Sequence, residues 1–341
     1  MDPMSSLADT AAYYEGFARD YAKGESPTYL DWSLGVAGDP DLLGRLGELP
    51  PPRRQPNLLF AAARHHGAPA PGPFAAMRET VLGRWSEVSA TMRSRSTQTN
   101  EPGRCATLLP VLDEIADGGP VALLEVGVSG GLCLYPDAYS YRYLDDDGAL
   151  VAAAGDGRPT FDCVVAGEVT PFAPVVPEVA WRGGLDLNPL DVTDPGTLAW
   201  LRVLVWPEHE DRLARLDAAV AQVGSLPRTV VAGDAAGDAA GDTLGALMGR
   251  ARAEAPQARL VVFHTAVAAY FDDALRGRWP DHVMELCREH DAVWLSNEAP
   301  EVLPGVAATA PGPAPRGTFC LAVDGRARAW THGHGRAMTL L

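Results

Sequence analysis

The sequence predicts an α/β protein in two parts: an all-helical N-terminal domain over residues 5–118, and a doubly wound sheet domain over 119–341 that ends in a β-hairpin. Three observations predict it. Up to residue 118 apolar residues recur at helical spacing between proline-rich joints. From residue 121 short apolar runs alternate with helical stretches. The chain then closes on two strand-like runs joined at Asp324-Gly325. Strand–helix alternation implies a parallel sheet covered on both faces, and Asp-Gly between two strand patterns is a hairpin signal. In such a sheet a ligand sits at the carboxyl ends of the strands, near the switch in strand order. The residues that follow each strand are therefore the functional candidates.

Taken in order, Tyr13, Tyr14, Phe17 and Tyr21 fall on one helical face. Pro50-Pro51-Pro52 ends one segment, and a helix over 57–64 begins the next. Residues 74–93 read as one helix with Met77, Val81, Leu82 and Trp85 on its buried side. Thr97-Gln98-Thr99-Asn100-Glu101 is a polar stop before a helix through Leu108, Leu109, Leu112 and Ile115. Val121–Val126 is the first strand. Residues 139–167 alternate aromatic and polar positions around a turn at Asp147-Gly148 and read as an antiparallel insertion. Further strands are expected at 184–187, 229–232, 259–263 and 292–295, with helices between them, and the closing hairpin at 318–323 and 327–331. A repeat-like tract begins at Gly233, and its later part reads as a loop.

Among the 341 residues, 44 Asp+Glu against 28 Lys+Arg give a net charge of −16. Nucleic acid and anionic membranes need a basic face, so neither is expected as a partner; a small-molecule substrate is. The five cysteines stand at least 28 residues apart, with no metal-binding spacing. Reduced thiols, no metal and a cytoplasmic location are expected, since no signal-peptide pattern opens the chain. No apolar stretch approaches the ~18 residues of a membrane span. The oligomeric state is not legible.

Glu125-Val126-Gly127-Val128-Ser129-Gly130-Gly131 is the sharpest motif. Small residues after a strand let the backbone turn tightly and approach a ligand, with a helix N-terminus behind it. The segment resembles the first motif of class I S-adenosylmethionine-dependent methyltransferases, an acid followed by G-x-G-x-G, with Ser129 in place of the middle glycine. Gly184-Leu185-Asp186-Leu187-Asn188-Pro189 is similar to the second motif, whose acid binds ribose hydroxyls. Gly233-Asp234-Ala235 resembles the acid after strand three on the adenine side. The resemblance covers about 121–332. It implies a Rossmann-like methyltransferase-type sheet, S-adenosylmethionine as cofactor, and Glu125, Gly127, Ser129, Gly131, Asp186 and Asp234 around it. Gly127 and Asp186 are 186 − 127 = 59 residues apart, against a usual gap of about 20. Either the 139–167 insertion accounts for the excess, or Asp145 or Asp146 is the ribose acid.

Along its whole length the chain also resembles a bacterial family known as DUF2332, through Arg54-Gln55-Pro56-Asn57-Leu58-Leu59, Gln98-Thr99-Asn100-Glu101-Pro102-Gly103-Arg104, Leu124-Glu125-Val126-Gly127, Gly184-Leu185-Asp186-Leu187 and Val262-Phe263-His264-Thr265. That family carries no assigned activity. Cys133 stands where its Gly-Leu-Asn-Leu pattern has Asn.

Asn100, Glu101 and Arg104 form a polar cluster suited to an acceptor substrate, with Arg104 holding an anion; the same residues suit a helix N-cap. His264, expected just past a strand, is the candidate general base. Arg182 reads as an ion-pair partner, and His332 and His334 as exposed. Two other readings stand beside methyl transfer. Ser129 satisfies G-x-S-x-G, and Asp234 and His264 follow in the order of an α/β-hydrolase triad. Alternatively, the domain binds a ligand without catalysis.

Overall fold

The structure, a computed structural model, describes residues 6–98, 100–167, 172–237 and 242–341. Thr99 and the later part of the Gly-Asp-Ala-Ala repeat lie outside the described residues. The chain opens with helices α1 (Leu7–Phe17), α2 (Pro27–Ala37), α3 (Pro40–Gly47), α4 (Pro56–His65), α5 (Phe74–Gly83) and α6 (Trp85–Ser94). Next, α7 (Cys105–Ala116) leads into β1 (Val121–Val126), β2 (Ser140–Leu144), β3 (Leu150–Ala154), β4 (Thr160–Ala166) and β5 (Val179–Asp186). After these come α8 (Pro195–Leu204), α9 (Glu210–Val223), β6 (Thr229–Ala232), α10 (Thr243–Glu254), β7 (Arg259–Thr265), α11 (Asp273–Glu289) and β8 (Ala292–Glu298). The chain closes with α12 (Pro304–Ala307), β9 (Thr318–Val323), β10 (Arg326–His332) and β11 (Ala337–Leu340).

The helix starts follow from local chemistry. Ser26, Asp39 and Asp194 each accept a backbone N–H of the first turn, and a proline follows each of them. These caps satisfy donors that have no partner inside the helix. Two expectations need correction. The stretch 74–93 is two helices, broken at Arg84, whose φ of −126° is not helical. Tyr13 and Tyr21 are 39% and 63% exposed, so only Tyr14 and Phe17 of the aromatic face are buried. A π-helical turn over Ala18–Ala22 shifts the spacing after Phe17 and rotates Tyr21 outward.

The chain divides into two compact units. One comprises the described residues of Met1–Thr99 with Asp194–Ala214, so α8 packs with the N-terminal helices: Trp200 Nε1 donates to Ser96 O at 3.0 Å, and Arg64 Nη1 to Val203 O at 2.9 Å. The other comprises Asn100–Thr193 and Arg215–Leu341 and holds the sheet.

Among the described residues the sheet has eleven strands, in the order β3-β2-β4-β11-β10-β9-β8-β7-β1-β5-β6. Its core is parallel: β1 lies between β5 and β7, β6 flanks β5, and β8 flanks β7. The order reverses beside β1, since the chain runs outward through β5 and β6 and returns to β7. That places the switch point at the carboxyl ends of β1 and β7. The 139–167 insertion is mixed rather than antiparallel: β2 pairs antiparallel with β3 but parallel with β4. Tyr139, Tyr141 and Tyr143 are all buried, and the polar residues between them are not, as period-2 alternation requires. β9 pairs with β8, β10 lies outside it, and β11 joins β10 to β4.

The residues of β1 alternate between the two faces. Ala122, Leu124 and Val126 join a core with Leu247 and Met248 of α10 and with Trp279 and Val283 of α11. Glu125 points to the opposite face.

Candidate functional site

The glycine turn follows β1 directly. Gly127, Ser129 and Gly131 have φ of +74°, +48° and +73°. For Ser129 this is a left-handed conformation that costs roughly 1–2 kcal/mol. Asp186, at the end of β5, holds that conformation. Its Oδ2 accepts from Ser129 N at 2.8 Å and its Oδ1 from Asn188 N at 2.8 Å. The expected helix N-terminus is not behind the turn; 3₁₀ turns at Leu132–Leu134 and Pro136–Ala138 lead to β2 instead. Asp234, past β6, accepts from Ala236 N at 2.9 Å. Asp145 accepts from Asp147 N and Ala149 N at the β2–β3 turn, away from the glycine turn. Of the two candidate positions for the ribose acid, Asp186 is the one beside Ser129.

The turn's glycines serve packing. A Cβ at Gly127 would lie 2.3 Å from Val267 Cγ2, one at Gly130 would lie 2.5 Å from Val192 Cγ1, and one at Gly131 would lie 3.1 Å from Arg228 Cδ. Side chains of this protein therefore occupy the hollows that the motif leaves.

Asn100, Glu101 and Arg104 gather around the same turn, inside the sheet-bearing unit. Asn100 Oδ1 accepts from Leu132 N at 2.8 Å, and Glu101 Oε1 accepts from Gly103 N at 3.2 Å. Arg104 donates from Nη1 to Thr265 O (3.0 Å) and Oγ1 (3.1 Å), and from Nε to Gly333 O (2.9 Å). All three residues are buried, and the bonds tie the 100–104 segment to Leu132 just past the turn, to the end of β7 and to the β10–β11 connection. His332 ends β10 and His334 lies in this connection. They are half-buried rather than exposed, with His334 N donating to His332 Nδ1 at 3.0 Å. Arg182 pairs with Asp137 and lies 4.9 Å above the Tyr135 ring.

Glu125 is 2% exposed, and its Oε2 has no hydrogen-bond partner among the described residues. Burial holds its carboxyl well above the usual carboxylate range; Cys133 and Asp186 push the same way and Arg104 opposes them. On the same face Asn297 is fully buried. Its Oδ1 accepts from Thr331 Oγ1 at 2.8 Å, and its Nδ2 has no partner among the described residues.

His264 does not face this cluster. The strands run further than the apolar pattern suggested: β7 includes His264 and Thr265, and β8 includes Asn297 and Glu298. Strand parity turns His264 to the α11 face, away from Glu125 and Arg104. There it has zero exposure. Its Nε2 lies 3.0 Å from both Trp279 Nε1 and Trp294 Nε1, and its Nδ1 is 2.7 Å from Glu298 Oε1. An indole N–H only donates, so Nε2 is the acceptor and the proton sits on Nδ1, donated to Glu298. The lone pair that a general base would use is taken by two tryptophans. His264 therefore cannot reach a ligand over Gly127, and the Ser129–Asp234–His264 triad has no base to offer. Nothing in the sequence pattern around Trp279 and Trp294 marked them as its partners.

Fold and site together define a mixed α/β protein with a helical N-terminal region, a large mixed sheet, and a buried polar cluster at the carboxyl ends of its parallel core. The chain belongs to the family described as "Uncharacterized protein conserved in bacteria (DUF2332)", whose model matches residues 11–340. No curated protein and no solved structure matches it. Among the described residues no helix is long and apolar enough to cross a membrane, and no group of His, Cys, Asp or Glu is arranged to hold a metal ion.

Proposed function

We propose that the carboxyl ends of β1, β5 and β6 bind S-adenosylmethionine on a Rossmann-like methyltransferase-type sheet, and that the protein transfers its methyl group to a small-molecule acceptor. The observation that carries this reading is the 2.8 Å bond from Ser129 N to Asp186 Oδ2. It joins the two motifs, whose bonded residues are 57 apart in sequence, across the carboxyl ends of β1 and β5, beside the switch point where such sheets hold their ligands. A carboxylate has about four acceptor positions, so holding the turn does not preclude accepting from a ribose diol. Asp234, past the neighbouring strand, is the acid toward the adenine. Gly127, Ser129, Gly131, Asp186 and Asp234 would hold S-adenosylmethionine, which would supply a sulfonium methyl to an acceptor whose proton passes to solvent; the contribution of this chain would be alignment of the two.

A second reading, ligand binding without transfer, is favoured by one observation: His264 is sealed, and Glu101 and Arg104 are engaged on backbone groups. Calorimetric titration with S-adenosylmethionine and S-adenosylhomocysteine tests the shared part. Binding by the parent, weakened on the order of tenfold or more in Asp186→Asn through the lost acceptor oxygen, is the expected result. Absence of binding to either compound removes both readings. Formation of S-adenosylhomocysteine with a pool of small acceptors separates transfer from binding.

A further inference from the structure

The segment between β7 and α11 is held from two sides. Its amides point to β8: Ala266 N donates to Asn297 O at 3.1 Å, and Val267 N and Ala268 N donate to Glu298 Oε1 at 2.9 and 3.2 Å. Its carbonyls are taken by Arg276 of α11, which donates to Ala268 O (3.2 Å), Ala269 O (3.3 Å) and Phe271 O (2.7 Å). Ala266 is bent to φ +55°, a strained conformation for a residue with a Cβ. The product of this arrangement is the seat of Val267 in the hollow of Gly127, 2.3 Å from where a Cβ would be.

Glu298 is 2% exposed and gathers three donors on one oxygen: two backbone N–H groups and His264 Nδ1. The orientation of His264 is set in turn by two indoles on its other nitrogen. In the β7–β8 register His264 stands opposite Ser296, so Trp294 and Glu298, two residues away on either side, are its diagonal neighbours. The sheet thus fixes the imidazole, the imidazole orients the carboxylate, and the carboxylate fixes the segment.

We propose that Glu298, oriented by His264, is a positioning residue that latches segment 266–270 onto the glycine turn, with Val267 as the plug that a ligand at Gly127 must displace. The latch stands on the geometry alone; the ligand it admits rests on the reading of the turn as an S-adenosylmethionine site.

The test is amide hydrogen exchange on the whole chain, followed in peptides covering 265–270 and 126–134, for the parent, Glu298→Ala, Glu298→Gln and Val267→Ala. In Glu298→Ala, exchange in both peptides should accelerate on the order of tenfold or more, since one buried and one partly buried amide lose their acceptor. Glu298→Gln keeps an acceptor oxygen and should stay near the parent. Val267→Ala leaves the backbone bonds in place, so only 126–134 should loosen; this variant decides the matter should Glu298→Ala fail to fold. Unchanged exchange in 126–134 for both alanine variants overturns the plug, and unchanged exchange at 265–270 in Glu298→Ala overturns the latch. Stopped-flow association of S-adenosylmethionine is then expected to be faster in Val267→Ala than in the parent, and equal rates overturn the gating step. If neither chain binds S-adenosylmethionine while the exchange pattern holds, the cofactor reading fails and the latch remains.

Discussion

Replacing His264 by alanine separates a structural histidine from a catalytic one. The imidazole has zero exposure and three partners: Trp279 Nε1, Trp294 Nε1 and Glu298 Oε1. A buried donor left without a partner costs about 1–3 kcal/mol, so the two indoles together contribute about 2–6 kcal/mol. The void left by the ring adds on the order of 1 kcal/mol, at roughly 24 cal/mol per Å³ of unfilled cavity. The total, about 3–7 kcal/mol, is a large part of the 5–15 kcal/mol that is typical of a folded domain. Urea unfolding followed by tryptophan fluorescence reads this directly, because Trp279 and Trp294 report from the site itself. With an m-value of about 1–3 kcal/mol/M, the midpoint should fall by 1 M or more. A cycle with Trp279→Phe should show a coupling of about 1 kcal/mol or more, as residues sharing one network do. A midpoint within about 0.2 M of the parent's, together with lost ligand turnover, would refute the structural assignment and return His264 to the chemistry.

Three other outcomes follow from the same geometry. Gly127→Ala places a Cβ 2.3 Å from Val267 Cγ2 at φ +74°, and should destabilise by about 2–4 kcal/mol through strain and overpacking, read as a lowered melting temperature. Burial raises the Glu125 pKa above its ordinary 4.5, so above that pH the native chain keeps a proton that the unfolded chain has released. The stabilisation is full below the unfolded value and is lost as pH rises through the native one. Glu125→Gln should flatten this slope, which is at most about 1.4 kcal/mol per pH unit, and leave the protein more stable than the parent at neutral pH; urea midpoints from pH 5 to 8 check it. All five cysteines are free and buried, and burial pushes the Cys163 and Cys287 thiols up to about 12 and Cys320 to about 11. A chromogenic disulfide reagent should therefore find no fast-reacting thiol in the native chain, and all five after denaturation.

The apolar runs of β1 and of the first part of β7 were legible, because parallel strands buried on both faces read as continuous hydrophobic sequence. The ends of β7 and β8 were not. His264-Thr265 and Ser296-Asn297-Glu298 are polar, and a pattern based on hydrophobicity stops before them. Yet all five are buried, and each of them except Ser296 makes a hydrogen bond through its side chain that only the fold brings together. Two residues of extra strand decide which face a side chain takes, and this is why His264 faces α11 and not the cluster around Arg104. In the same way, 74–93 carries a continuous helical pattern, and the break at Arg84 is announced only by the single Gly83 before it, a residue that helix interiors tolerate at a modest cost.

The glycine motif was legible as a turn and ambiguous as a site, and the ambiguity is physical. A missing Cβ makes room for whatever approaches, and a ligand and a side chain use that room alike. Here Val267 and Val192 enter the hollows of Gly127 and Gly130, and Val128 of the turn itself enters that of Gly184 on β5, with a would-be Cβ 2.4 Å from its Cγ2. Three valines, each distant in sequence from the glycine it fills, thus account for two glycines of the first motif and one of the second. What distinguishes the two uses is not the glycine but the fastening of the side chain that fills its place. Val128 rides on the turn and cannot leave its seat unless the turn moves. Val267 sits on a connecting segment held by hydrogen bonds to Asn297, Glu298 and Arg276 and by the burial of Ala268 in the core. Such a segment can open locally without unfolding the sheet, and on the proposed reading Gly127 is the position of the motif where packing and ligand binding would alternate.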